Sequence, residues 1–252
     1  MTDLARILDL EEFTLNTSPA LHEAHIAGWV ARASQSQTRR SNSATALYAN
    51  AARIDDTIDR IEAWYRVQQQ APMFRLSPLT PVGFDEALAA RGYVQAVTTS
   101  VMLCDLRAGI ESLNLPPGMK CVARGIEDGT LDLHRLKGSP EAVARADAVR
   151  QTQWRGTQTF LTLRSVNGLV ATGLARYAEG RIGLFNIHTA PGLRRKGFGA
   201  AMTRALLQWG VEQGATEAFL QVDEANVAAV SLYGKLGFVT AYSYWHRIVL
   251  AP

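Results

Sequence analysis

The chain has 252 residues, 47% hydrophobic and 19% charged, with a formal net charge of +3. That composition suits a soluble globular protein with room for one large domain or two ordinary ones. The charge is too small to argue for nucleic acid by itself, and no uncharged apolar run approaches the roughly 18 residues a membrane span needs.

The elements follow in chain order. Residues 3–13 read as a helix, and 26–33 and 38–44 as strands separated by a polar turn. Ile54, Ile58, Ile61 and Trp64 or Tyr65 recur at helical spacing and predict a helix over 54–69. A short strand at 73–76, a helix at 84–90 stopped by Gly92, and one or two strands within 93–105 complete the first half. Asn114-Leu-Pro-Pro-Gly-Met119 breaks the pattern and places a division near residue 116, giving domains of 1–115 and 116–252. Beyond it come a strand at 119–124, helices around 128–137 and 139–152, and strands at 159–164, 168–177 and 183–189. A helix over 197–214, a strand at 218–222, a helix over 226–236 capped by Gly237, and a strand over 241–250 follow. The second half is therefore expected to be α/β, with a mostly antiparallel sheet and one parallel crossover in its middle.

Other features carry less. The opening Met1-Thr-Asp-Leu-Ala-Arg6 has no basic stretch leading into an apolar core, so no signal peptide is expected and the chain is placed in the cytoplasm. Cys104 and Cys121 sit among apolar neighbours and are read as buried thiols, with a disulfide between them as the alternative. No Cys or His spacing suggests a metal site. Trp29, Arg32, Arg39, Arg40 and Asn42 are read as decorating an exposed face of two neighbouring strands, with the lining of a cleft as the alternative.

The chemistry concentrates in Phe185-Asn-Ile-His-Thr-Ala-Pro-Gly-Leu-Arg-Arg-Lys-Gly-Phe-Gly-Ala200. A strand enters a short basic loop that opens straight into an amphipathic helix. First-turn N–H groups lack helical partners and carry the positive end of the helix dipole, which suits a phosphate. Gly197 and Gly199 let the backbone approach an anion closely. Neither the Gly-Lys-Ser/Thr of a nucleotide P-loop nor the third glycine of a dinucleotide fingerprint is present.

Arg194-x-x-Gly197-x-Gly199 resembles the pyrophosphate loop of the GNAT N-acetyltransferase superfamily, and Asn226-x-x-Ala229-x-x-Leu232-Tyr233-x-x-Leu236-Gly237-Phe238 resembles its second cofactor motif. The resemblance covers roughly residues 119–252 and implies a GNAT fold that binds acetyl-coenzyme A between two splayed central strands. It implies main-chain contacts from Ile187 and Thr189 to the pantetheine arm. The pyrophosphate would meet Arg194, Arg195, Lys196, Gly197, Phe198, Gly199 and Ala200, and Asn226 would bond the pantetheine or cap its helix. It further implies Tyr233 as the general acid. The family's strand glutamate is missing here; Asn186 and His188 occupy that strand, and His188 is the candidate base, with Asp223, Glu224 or a water relay as alternatives. The first half has no such loop but resembles a degenerate GNAT-like copy, with an unrelated α+β extension as the alternative. The expected activity is acetyl transfer to an amine by direct attack, the acceptor being a small molecule or a protein amine. Neutralising an alkyl ammonium at pH 7 costs about 5 kcal/mol, so a base or desolvation must help. The alternative is a non-catalytic acyl-coenzyme A sensor. No nucleic acid, membrane or metal is expected, and the state is a monomer or homodimer.

Overall fold

A computed structural model describes residues 3–34, 36, 38–110 and 113–250. Within them lie seven α-helices and eleven strands in a mixed α/β arrangement. The chain forms two compact units, one of Met1–Ser100, Asp223–Ala225 and Ala241–Pro252, the other of Val101–Val222 and Asn226–Thr240. The division falls inside a strand rather than at Pro116-Pro117-Gly118: the first unit takes strand residues 241–248 from the second half of the sequence, and the second unit takes strand residues 101–105 from the first.

The first unit contains α1 (Leu4–Thr17), β1 (His22–Ile26), β2 (Trp29–Ala33), β3 (Ala44–Ala46), α2 (Ile54–Val67), β4 (Met73–Leu76), α3 (Phe84–Ala90) and the first part of β5 (Val94–Asp105). Its strand order is β1-β2-β3-β4-β11-β5, where β11 is Val239–Ile248. Two sequence expectations change here. The strand expected over 26–33 is a hairpin: Ile26 pairs with Trp29 across Ala27 and Gly28, both with positive φ (48° and 81°), the geometry of a two-residue turn. A Cβ on Gly28 would lie 2.5 Å from the Tyr48 carbonyl, so only glycine fits. The strand expected over 38–44 is a 3-10 turn at Arg39–Ser41 followed by β3, because Asn42 spends its side chain locally, accepting from Ser34 N (2.6 Å) and donating to Thr38 O (2.8 Å). One sheet face carries Ala44, Ala46, Phe74 and Leu76 into an apolar core with Ile58, Ile61 and Tyr65 of α2. Trp29 stacks on Phe84 at 4.3 Å in that core. Trp29 is fully buried, and Arg32 and Asn42 are 2% and 5% exposed, so these are not decorations of an open face.

The second unit contains the end of β5, β6 (Lys120–Arg124), α4 (Ile126–Lys137), α5 (Glu141–Gln151), β7 (Thr157–Ser165), β8 (Gly168–Ala178), β9 (Arg181–Thr189), α6 (Phe198–Glu212), most of β10 (Glu217–Asp223), α7 (Val227–Lys235) and the start of β11. Its order is β5-β10-β9-β8-β7-β6. β6 to β9 pair antiparallel, while β9 and β10 pair parallel around the α6 crossover. Helices cover both faces, as such a sheet requires. On one face α6 comes so close that a Cβ on Gly210 would lie 2.3 Å from Ile182 Cδ1. On the other, Leu133 of α4 packs with Phe160, Leu174 and Phe185, and a Cβ on Gly129 would lie 2.3 Å from Phe160 Cγ. Asp147 joins α4 to α5: it pairs with His134 at 3.0 Å and accepts from Arg150 at 2.6 Å.

Candidate active site

The site is built where β9 and β10 separate. Their parallel pairing runs from Arg181–Glu217 to Leu184–Leu220 and stops, although β9 continues to Thr189 and β10 to Asp223. The physical cause lies in β9. Asn186 has φ 54°, a left-handed conformation rare for a side-chain-bearing residue in a strand, and the pairing with β8 shifts register there. Such a bulge bends its strand and re-aims the residues after it. Opposite it, Gly173 sits so near α6 that a Cβ would lie 2.7 Å from Leu206 Cδ1. The bulge leaves Ile187 packed against the α6 side and sets His188 opposite Thr172.

The loop after β9 is folded rather than slack. Ala190 N donates to Val170 O (2.9 Å), Pro191–Leu193 forms a 3-10 turn, and Arg195 and Gly197 both have positive φ (65° and 82°). The first closed turn of α6 runs from Ala201 N to Gly197 O (3.0 Å), so by helix geometry the N–H groups of Phe198, Gly199 and Ala200 have no helical acceptor. Arg194, Arg195 and Lys196 are exposed around this end, and the first turn of α6 carries no acidic residue. A Cβ on Gly197 would meet nothing within 4 Å, so open space lies before that backbone. A Cβ on Gly199 would instead come within 3.2 Å of Leu232 Cδ2 and 3.8 Å of Thr189 Oγ1, so this glycine lets α6 start hard against α7 and the end of β9.

The structure places the other expected residues unequally. Phe198 and Tyr233 are buried in one apolar cluster, with Ile187 packed against it. Phe198 thus offers a ligand only its main chain. Asn226 caps α7, its Oδ1 accepting from Ala229 N at 3.2 Å. Tyr233 meets Phe238 edge-on at 5.9 Å, and burial pushes its hydroxyl up to about 12. His188 shares the sheet face of Thr172, turned away from Ile187 and Thr189. Burial, then Lys137 and Arg194, lowers its pKa, so the ring is neutral at pH 7. Its Nε2 is buried without a partner, as is Nδ2 of Asn186. Asn186 is a residue to which sequence reasoning gave no role; its only signal was the gap left by the missing glutamate. Asp223 accepts from Ala225 N (2.9 Å), and Glu224 Oε1 accepts from Ser100 (2.8 Å) and Ser243 (2.6 Å) in the first unit.

Residues 4–247 match the family described as "Probable histone acetyltransferase Rv0428c C-terminal". The chain belongs to this family. It is also 28% identical to the uncharacterized N-acetyltransferase YobR of Bacillus subtilis (strain 168), over 98% of this chain and 99% of that one. Among solved structures it is similar to a GCN5-related N-acetyltransferase from Kribbella flavida, with TM-score 0.74 and 18% identity over 100% of this chain and 97% of that one. A tandem GNAT protein from the clavulanic acid biosynthesis pathway gives TM-score 0.62 at 13% identity, over 83% of this chain and 76% of that one. At these identities the structures speak for the fold alone. The chain is an acyltransferase of N-acetyltransferase type, and its fold is that of GNAT structures. Among the described residues no helix is long and apolar enough to cross a membrane.

Proposed function

We propose that the second unit holds acetyl-coenzyme A in the opening between β9 and β10 and transfers its acetyl group to an amine. The observation that carries this reading is the end of β9–β10 pairing at Leu184–Leu220, with both strands running on. Backbone groups past that point, those of Ile187 and Thr189 among them, are released to bond an extended arm as an added strand would. The N-terminus of α6, ringed by Arg194, Arg195 and Lys196, takes the pyrophosphate.

The rest follows from what these side chains do. The amine must lose a proton before it attacks. His188, neutral and with a buried unpartnered Nε2, is our base, acting directly or through a water. The nitrogen–carbon bond forms as the carbon–sulfur bond breaks. Tyr233, protonated throughout the neutral range, donates its hydroxyl proton or hydrogen bond to the departing sulfur.

The first unit contains a topologically similar crossover, β3-α2-β4, also parallel. There the first turn of α2 carries Asp55 and Asp56, which oppose an anion where α6 has no acid. We therefore read the first half as a GNAT-like copy without its own cofactor loop, and the second unit, which holds most of residues 116–252, as the catalytic part. The acceptor we favour is a small-molecule amine, with a protein amine next. Release of free coenzyme A thiol, measured over a panel of both, tests the reading. Amine-dependent release supports it, and release independent of every amine by a cofactor-bound enzyme contradicts it.

A further inference from the structure

The sheet face of the first unit opposite its apolar core is buried and polar. Thr45, Arg75 and His246 lie side by side on β3, β4 and β11, since Thr45 pairs with Arg75 and Arg75 with His246. All three are at most 2% exposed. Arg75 is held from two sides. Its Nη1 pairs with Glu11 of α1, which also accepts from the Tyr242 hydroxyl (2.6 Å), and its guanidinium lies 3.6 Å over the Tyr244 ring. That leaves Nε and Nη2, the two donors of one guanidinium edge, buried with no partner in the protein. The Thr45 hydroxyl and both ring nitrogens of His246 are buried and unpartnered as well.

Donors at such density call for an acceptor, because a buried unsatisfied donor is costly and a charged one more so. The Nε/Nη2 edge is a fork matched to two oxygens of one anion. Glu11 offsets the charge of Arg75, and Arg39 and Arg40 add positive potential at His246. Met73, two positions before Arg75 on the same face of β4, lines a cavity of about 440 Å³ together with Arg39, Asn42 and Ser34; Thr45, Arg75 and His246 do not line it.

We propose that the first unit binds a small oxyanion, a carboxylate or a free phosphate or sulfate, on the Nε/Nη2 edge of Arg75. The Thr45 hydroxyl on one side and a His246 ring N–H on the other complete its shell. The site is independent of the acetyl-transfer reading and lies wholly within the first unit.

The test is thermal unfolding of the full chain in chloride buffer, with acetate, phosphate or sulfate added at matched ionic strength. A ligand that binds only the folded state raises the midpoint even where the site is closed, because unfolding opens it. Phosphate and sulfate also stabilise folded proteins generally by exclusion, so the decisive quantity is the difference between wild type and Thr45→Val. That variant keeps the shape and removes one donor; the expected result is about tenfold weaker binding and a smaller shift. Arg75→Lys, which replaces the fork by a point charge, should remove the specific shift altogether. Should it fail to fold, Thr45→Val decides alone. A response to acetate identifies a carboxylate site, and one to phosphate or sulfate a tetrahedral one. Equal shifts in wild type and Thr45→Val for all three anions would overturn the proposal.

Discussion

Tyr233→Phe isolates the proposed acid. The substitution removes a single oxygen and keeps the ring in its cluster, edge-on to Phe238. The magnitude follows from two numbers. The Tyr233 hydroxyl stands at about 12, and a free thiol at about 8.5 in water. Complete transfer to a water-like thiolate would run uphill by about 3.5 units, close to 5 kcal/mol. The same burial that raises the phenol raises a thiol beside it, which narrows the gap without closing it. The larger part of the effect is then a hydrogen bond to a developing anion, worth about 1.5–3 kcal/mol. Tyr233→Phe should therefore lower kcat about 100-fold, between the value for a simple hydrogen bond and that for full acid catalysis. Acetyl-coenzyme A affinity should hardly change, since the hydroxyl acts on the leaving sulfur. Steady-state thiol release gives kcat, and calorimetry gives the affinity. A kcat within threefold of wild type, at unchanged affinity, would refute the role.

Two further outcomes are expected. If His188 is the base, the acid limb of the kcat/KM profile lies below the ordinary histidine value, because burial, Lys137 and Arg194 all lower its pKa. His188→Gln should abolish that limb along with most activity, and a limb that survives in the variant assigns the base elsewhere. Asp147 tests the scaffold behind the site: burial raises its pKa, but His134 and Arg150 outweigh burial and hold it at about 2. A folded pKa below the unfolded value adds stability above about pH 4 that is lost as pH falls through about 2, worth about 2 kcal/mol from this shift. Asp147→Asn, which breaks a buried pair, should destabilise the protein by about 3 kcal/mol at pH 7 in urea unfolding, and the gap should shrink towards pH 2.

The second half was legible because its signals are local. The hairpins between β7, β8 and β9 carry their own turn residues, and the loop from Arg194 to Gly199, with the motif from Asn226 to Phe238, carries the residue types and spacing of the resemblance. Two things in that half were not legible. The bulge at Asn186 comes from an asparagine at φ 54°, which leaves no mark on the alternation of a strand. The register that sets His188 opposite Thr172 follows from that same bulge. In the first half the difficulty was tertiary. Trp29 and Arg32 alternate along β2 as any half-exposed strand would, yet α2 and α3 bury one and the α1 side buries the other, Arg32 donating to Leu15 O. Ala27-Gly28 forms a tight turn inside an apolar run, where Ala gives no turn signal. The sharing of β5 and β11 between the two units is set by strand pairing over long sequence separations, which no window of residues contains.

The central claim is that this loop holds acetyl-coenzyme A, and Gly197 tests it most directly. A side chain there points into open space but must adopt φ 82°, a strain of roughly 1–2 kcal/mol for most residues and less for asparagine. Calorimetric titration of acetyl-coenzyme A into wild type, Gly197→Asn and Gly197→Glu separates strain from charge, since the first variant adds bulk alone and the second places a carboxylate where the pyrophosphate would sit. The account predicts micromolar binding by wild type, weakened binding by Gly197→Asn, and none by Gly197→Glu. Equal affinity in all three, or no binding by folded wild type, would contradict it.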